Sequence, residues 1–354
     1  MAKVSYGLVG YGGIAHDRIA KEGFGLDAGR FAGHPFARLV GATDINAALR
    51  PAAQSLGLPW FSTYDELLAS KEVEAVYVTT SNASHFEVAE RALRAGKHVL
   101  LEKPLTTRLE DAKALQTIAR ESGLSICADH MMTHNAYNMK ARDLVHGGAI
   151  GEVNDICLHM EFQYGSTAEE AATWRCSDPL QLGGPIGDVG SHCLYMAEFL
   201  LGSHIAKIAC VYLPRTLDLA VENGAFIQFE TESRKRGSAR VAFNQPRGGL
   251  VGTLQNLGFE VYGSGGAIRS FGTMFQLSGH GGEPVKLRLE LETGNGLESV
   301  EPGERTNIYQ AQIEVHARSI LAGQPLAGED ALRNLALLDL CHRSARDGGM
   351  MLAV

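Results

Sequence analysis

The sequence predicts a two-part α/β protein: an N-terminal doubly wound parallel sheet, then an α/β domain built on a large open, mostly antiparallel sheet. Three observations carry this. The chain has 354 residues, beyond the roughly 250–300 at which single cores stop growing. As far as Ala128, short buried apolar runs alternate with helix patterns, as parallel strands joined by crossovers do. Beyond Gly151, long β patterns follow one another with few helices between them, which implies antiparallel pairing. The boundary falls near Ala128–Asp129, giving domains 1–128 and 129–354, with the tail helices Asn307–Ala322 and Asp330–Arg346 packing back between the domains.

Val4 to Val9 reads as a short buried strand running into Gly10-Tyr11-Gly12-Gly13-Ile14-Ala15, with a helix after it. This is G-x-G-x-x-A, the dinucleotide fingerprint with alanine in its third position. Gly10 makes the tight turn, Gly12 lets the backbone approach a pyrophosphate, and Ala15 permits close helix–strand packing. Gly13 and Ile14 open the helix, whose free N–H groups and partial positive charge suit phosphate.

The second strand, Ala37–Thr43, ends in Asp44. A carboxylate there can accept from the adenosine ribose hydroxyls and would repel a 2′-phosphate, so it favours NAD over NADP. An N-cap role for Asp44 is compatible with that. The gap from fingerprint to acid exceeds the usual ~20 residues. Its surplus is the glycine-rich stretch Gly23 to Pro35, expected as a surface loop at a subunit contact or the site rim.

Tyr64–Ser70 reads as a helix and Glu74–Thr80 as a buried strand. Thr80, Asn82 and His85 then stand at a strand-to-helix turn on the same sheet edge as Gly12, with cofactor-side roles. The apolar run His98–Leu101 leads to Glu102-Lys103-Pro104, and Thr107-x-x-Glu110 carries the spacing of a capping box. Proline disfavours helical φ/ψ at the residue before it, so Lys103 is held extended where a buried strand ends. Ligands bind at that edge of open α/β sheets. Leu124–Ala128 is counted as a sixth strand, completing a Rossmann-type sheet.

In the second part, Met132–His146 and Ile186–Leu201 read as helices. Strands are expected at Val153–Phe162, His204–Tyr212, Ala225–Glu230, Arg240–Phe243, Gly258–Tyr262, Ala267–Phe271 and Val285–Leu291. Asp188 and His192 are spaced i, i+4 on an otherwise apolar helix, so both lie on one face. The aspartate can orient or charge the imidazole. Equally, an acid can answer the helix dipole while a core histidine finds its own partner.

A formal net charge of −8 argues against nucleic-acid and anionic-membrane partners, which want a basic face. The basic run Arg234-Lys235-Arg236 fits a hairpin turn. No apolar stretch approaches the ~18–20 residues of a membrane span. The six cysteines show no CxxC and suit a reducing cytoplasm, without a disulfide or zinc framework. The histidines show no ligand spacing, so no metal site is expected.

Together these residues resemble the glucose–fructose oxidoreductase, inositol dehydrogenase and rhizopine-catabolism family (Gfo/Idh/MocA) over nearly the whole chain. The motifs are Gly10-x-Gly12-x-x-Ala15, the Asn82–His85 turn, Ala95-Gly96-Lys97-His98-Val99 leading to Glu102-Lys103-Pro104, Gly148-Ala149-Ile150-Gly151-Glu152, Gly187-Asp188-x-Gly190-x-His192, and Glu260-Val261-Tyr262-Gly263-Ser264-x-Gly266-Ala267. The resemblance implies hydride transfer between NAD(P) and a sugar, inositol or related polyol. It implies His192 as proton acceptor with Lys103 and Asp188 beside it, Glu102 and Lys103 on the cofactor side, and a cis Lys103–Pro104 peptide. It also implies a homodimer or homotetramer built on the open sheet. Histidine has a suitable pKa to take a hydroxyl proton, and a lysine cation can stabilise alkoxide charge.

Departures stand at Ser81, where proline is common, at Tyr195, where many members carry aspartate, and in Asp129–Asn135, which lacks paired arginines. That last segment, with His130 and His134, faces the substrate in relatives, and Trp174-Arg175 looks like another substrate-loop pair. Other readings are a keto-sugar reductase, an NAD-using glycosidase, or a cofactor-sensing regulator on the same fold. Regulators usually lose the lysine or the histidine, and both are present.

Overall fold

The computed structural model describes residues 2–245, 258–280, 283 and 286–354. Two compact units emerge, Met1–Met131 with Asn307–Leu335, and Met132–Thr306 with Ala336–Val354. Residues 307–335 therefore group with the first unit rather than with 132–306, and the first unit runs to Met131 rather than Ala128. The reason lies in helix Ile308–Leu321, which buries Ile308, Tyr309, Ile313, His316 and Ala317 against strands of the N-terminal sheet.

That sheet is parallel, in the order β2-β1-β3-β4-β5, with β1 Val4–Val9, β2 Ala37–Thr43, β3 Ala75–Val78, β4 His98–Leu101 and β5 Ile126–Ala128. It has five strands, not six; Ile126–Ala128 is the fifth. β1 and β3 are buried throughout, as expected of strands covered on both faces. The strand order reverses between β1 and β3, which is the topological switch point where such sheets bind ligands.

One local expectation is corrected and another refined. The helix after Lys103 starts at Leu109 with Arg108 at its N-cap and no side-chain cap. Thr107 and Glu110 form no capping box, because Glu110 is engaged by Arg108 and Thr106 Oγ1 donates to Arg108 O at 2.7 Å. Beyond Gly23 the stretch to Pro35 is loop and turn, as expected, with Ala28, Gly29, Arg30, Ala32 and Gly33 exposed, but two of its side chains are anchored. Phe31 and His34 are buried, and His34 Nδ1 accepts from the amides of Phe36 and Ala37. The ring proton is thereby set on Nε2, which donates to Gln310 O at 3.0 Å.

Among the described residues, the second unit holds a nine-stranded sheet, β13-β12-β11-β10-β6-β9-β8-β7-β14. Its strands are β6 Val153–Glu161, β7 Ile205–Tyr212, β8 Gly224–Thr231, β9 Arg236–Ala242, β10 Gly258–Gly263, β11 Gly266–Phe271, β12 Arg288–Thr293, β13 Gly296–Ser299 and β14 Leu352–Ala353. Every pairing is antiparallel except the central β6–β9 pair, which is parallel. The expected strand Val285–Leu291 begins at Arg288, and Val285 lies outside the described residues. Arg234, at φ 67°, turns the β8–β9 hairpin as the basic run suggested. β13 and β14 escape sequence reading because they are short and almost wholly exposed. Helices Ala136–His146 and Ser191–Leu201 pack on each other and on strands of this sheet. All six cysteines are free thiols. Among the described residues no helix is long and apolar enough to cross a membrane.

Candidate active site

In the first unit, the chain leaves β1 at Gly10 with φ 86°, a conformation that side chains rarely adopt. A Cβ there would lie 2.9 Å from the Thr79 carbonyl carbon, so glycine is demanded by the close passage of the chain leaving β3. Thr79 Oγ1 donates back to Gly10 O at 2.8 Å. Added Cβ atoms at Gly12 and Gly13 would meet no protein atom. Ala15 is buried in the wide-turned helix Ile14–Gly23.

Asp44 braces this turn. Its Oδ2 accepts from Tyr11 N at 2.6 Å and its Oδ1 from Asn46 N at 2.7 Å. The cap of the next short helix is Asn46, whose Oδ1 accepts from Ala48 N. An ionised carboxylate has about four acceptor positions, so two amides leave room for hydroxyls.

Thr80, Asn82 and His85 occupy the turn after β3, as expected, and Ser84 Oγ donates to Thr80 Oγ1. Asn82 is buried. His85, expected on the cofactor side, is instead enclosed at 0% exposure. Its Nδ1 lies 2.7 Å from Pro104 O and its Nε2 3.2 Å from Thr80 O. Burial lowers its pKa, so the neutral ring donates once, and the ring ties the β3 turn to the β4 turn.

The β4 turn carries Glu102 and Lys103, and the Lys103–Pro104 peptide is cis. Glu102 N donates to Val78 O and Asp129 N to Leu101 O. Neighbouring parallel strands thus bring Glu102 and Asp129 to the same sheet end. Asp129 and Tyr77 are fully buried, with Tyr77 Oη donating to Asp129 Oδ2 at 2.7 Å. Burial first, and the Glu102 charge second, hold the Asp129 carboxyl well above the usual carboxylate range. Two carboxylates in one dry place do not both ionise. His130 is buried, and its Nδ1 meets Asp330 Oδ2 at 3.2 Å.

In the second unit, Asp188 sits on the wide turn Ile186–Gly190, which continues as helix Ser191–Leu201. Gly187 is packed so closely that a Cβ would lie 2.0 Å from Leu182 O. Ile186 N, at the start of this turn, donates to Glu222 Oε1 at 2.9 Å. Asp188 Oδ2 accepts from Arg175 Nε at 3.2 Å, and the Arg175 guanidinium stacks 4.6 Å from the Trp174 ring centroid. The structure thus joins Trp174, Arg175 and Asp188. His192 is buried, its Nδ1 2.7 Å from Tyr195 Oη. His134 ends a short turn, Met131–His134.

Sequence reasoning gave no role to Tyr77, Tyr195, Glu222 or the Asp129 carboxyl. The i, i+3 spacing of His192 and Tyr195 was a usable signal. Those of Glu222 and Tyr77 depend on long-range pairing. Among the described residues, no group of three or more His, Cys, Asp or Glu side chains is arranged to hold a metal ion.

The chain is similar to known proteins over most of its length. Residues 138–269 match the GFO/IDH/MocA C-terminal domain. A dTDP-3,4-didehydro-2,6-dideoxy-α-D-glucose 3-reductase from Streptomyces violaceoruber is 39% identical over 156 residues, 44% of each chain. A 1,5-anhydro-D-fructose reductase from Ensifer adhaerens is 28% identical over 335 residues, 94% of this chain and 93% of the relative. The crystal structure of an aldose-aldose oxidoreductase from Caulobacter crescentus, complexed with glycerol, shares the fold. It superposes with a TM-score of 0.85 at 23% identity, covering 99% of this chain and 100% of that one. Residues 4–130 match the oxidoreductase family with an NAD-binding Rossmann fold, and with a family match on each side of residue 131 the chain belongs to the Gfo/Idh/MocA oxidoreductases.

Proposed function

We propose that the protein transfers a hydride between a secondary hydroxyl of a sugar, inositol or related polyol and NAD. The observation that carries the reading is one sheet edge. β1 ends in the glycine turn, β2 in Asp44 and β4 in Glu102-Lys103, all at the carboxyl ends of parallel strands around the switch point. The space around Gly12 fits close approach of a pyrophosphate, and Asp44 favours a free ribose over a 2′-phosphate. Gly10, Gly12, Gly13, Ile14, Asp44, Thr80 and Asn82 would hold the dinucleotide, which when bound accepts or returns the hydride.

His192 takes the hydroxyl proton in oxidation and returns it in reduction. Lys103 orients the substrate oxygen and stabilises its developing negative charge. Asp188, held by Arg175, sets the field around the imidazole, and Trp174, Arg175, His130 and His134 contribute to substrate recognition. The relatives named above include two sugar reductases, which favours a second reading of the same chemistry run as keto-sugar reduction. The test is a panel of sugars and cyclitols at alkaline pH, and their keto forms near neutrality, followed by NADH absorbance and repeated with NADP. Turnover with at least one member and tighter NAD binding is expected. No turnover across the panel, or tighter NADP binding, counts against the substrate class or the cofactor respectively.

A further inference from the structure

The geometry points to Tyr195 as the positioning residue that decides which ring nitrogen of His192 addresses the substrate, by receiving the Nδ1 proton at its phenol oxygen. This rests on the reading of His192 as the proton-transferring group. The two side chains stand one helical turn apart on Ser191–Leu201, with Nδ1 2.7 Å from Oη and the rings edge-on at 77°. They are 4% and 7% exposed. The rest of that helix buries Cys193, Leu194, Met196, Ala197, Leu200 and Leu201.

The chemistry turns on where the ring keeps its single proton. When Nδ1–H donates to the phenol, Nε2 keeps its lone pair and can take a proton from a substrate hydroxyl. As the carbinol C–H leaves as hydride to the nicotinamide, the C–O bond becomes a carbonyl and the ring becomes imidazolium. That imidazolium still donates through Nδ1 to the phenol, and in the reverse direction Nε2–H returns the proton to the new alkoxide. When the phenol donates to Nδ1 instead, the proton sits on Nε2 and that nitrogen cannot act as base. A carboxylate partner would accept only, fixing the first arrangement and stabilising the cation. A neutral phenol orients the ring with far less stabilisation of the cation, which suits a group that must both take and return a proton.

Charged groups on the preceding segment and on elements packed against this helix are Asp188 with Arg175, Glu161 on β6, whose charge reaches Cys193, and Arg142 on Ala136–His146, which stacks on Phe199. They are the same in every variant of a Tyr195 series, so differences within it report on Tyr195.

The experiment is nitrogen NMR of the full chain labelled with ¹⁵N-histidine, with the His192 signals assigned by their loss in His192→Asn. The expected wild-type result is a protonated Nδ1 and an unprotonated Nε2 in the neutral ring. In Tyr195→Phe, Nδ1 loses that preference and the ring titrates at lower pH. In Tyr195→Asp, Nδ1 keeps the proton and titration moves up by about one to three pH units, as an adjacent opposite charge does. On a substrate found in the panel, Tyr195→Phe should lower kcat about 10- to 100-fold, the loss of one hydrogen bond to a charged group, with KM little changed. A wild-type ring protonated on Nε2, or titration unmoved across the series, overturns the role of Tyr195. Should Tyr195→Phe fail to fold, the wild-type tautomer and the Tyr195→Asp titration still decide. Turnover surviving in His192→Asn removes the underlying reading instead, so the two failures are distinguishable.

Discussion

Tyr77 donates a 2.7 Å hydrogen bond to Asp129, and both side chains are fully buried at the end of the parallel sheet that carries Lys103. Burial and the charge of Glu102 raise the Asp129 pKa well above its ordinary value. The folded state therefore holds a proton that the unfolded chain releases above about pH 4. Stability from this group falls as pH rises from that point toward the folded pKa. Asp129→Asn mimics the protonated acid, so its melting temperature should match the parent only below about pH 4 and exceed it increasingly as pH rises from there. Asp129→Ala strands the Tyr77 hydroxyl and should cost about 1–3 kcal/mol. Melts across pH check both, and an Asn variant markedly weaker than the parent at pH 7 would show an ionised Asp129.

Gly10 and Gly12 look alike in the sequence and differ in space. Gly10→Ala combines φ 86° with a Cβ 2.9 Å from backbone, so it should lower stability by about 1–3 kcal/mol or more. Gly12→Ala meets no protein atom and should melt like the parent while losing NAD affinity at least tenfold, about 1.4 kcal/mol. Calorimetric titration with NAD beside a thermal melt separates the two. Undiminished NAD binding by Gly12→Ala would contradict the pyrophosphate assignment.

Glu222 accepts from Ile186 N–H at the start of the segment bearing Asp188 and His192. Burial raises its pKa to about 7, against the pull of that hydrogen bond and of Arg215. An unfolded glutamate titrates near ~4.3. Between the two values the fold binds more protons than the unfolded chain, so stability falls as pH rises through this window and then levels off. Glu222→Gln keeps an acceptor for Ile186 and removes the charge. It should gain about 1–3 kcal/mol at pH 8 and little at about pH 4, measured by chemical denaturation. A variant weaker than the parent at pH 8 would reject this account.

The parallel sheet was legible because its signals are local: a buried run, a glycine turn, an acid at the next strand's end. What escaped depends on distant partners. His34 lies in a glycine-rich stretch that reads as loop, and only the pairing with Gln310 on the far helix shows that it is braced. His85 occupies a cofactor-facing turn by sequence, yet its ring is spent on Pro104 and Thr80 carbonyls. Thr107 and Glu110 had the spacing of a capping box, but Arg108 is close enough to take Glu110 first. The Asp188–His192 spacing marked a helical segment that the structure does form, while the partners visible there, Arg175 and Tyr195, follow from chain folding and from a spacing left unused.

His192 is proposed to move the proton in hydride transfer. The most direct measurement is kcat and NAD affinity for His192→Asn, with its melting temperature recorded on the same sample. In His192→Asn kcat should fall by roughly 10²–10⁴, with NAD affinity nearly unchanged because the glycine turn lies in the other unit, and a melting temperature close to that of the parent. Full turnover in folded His192→Asn would contradict it.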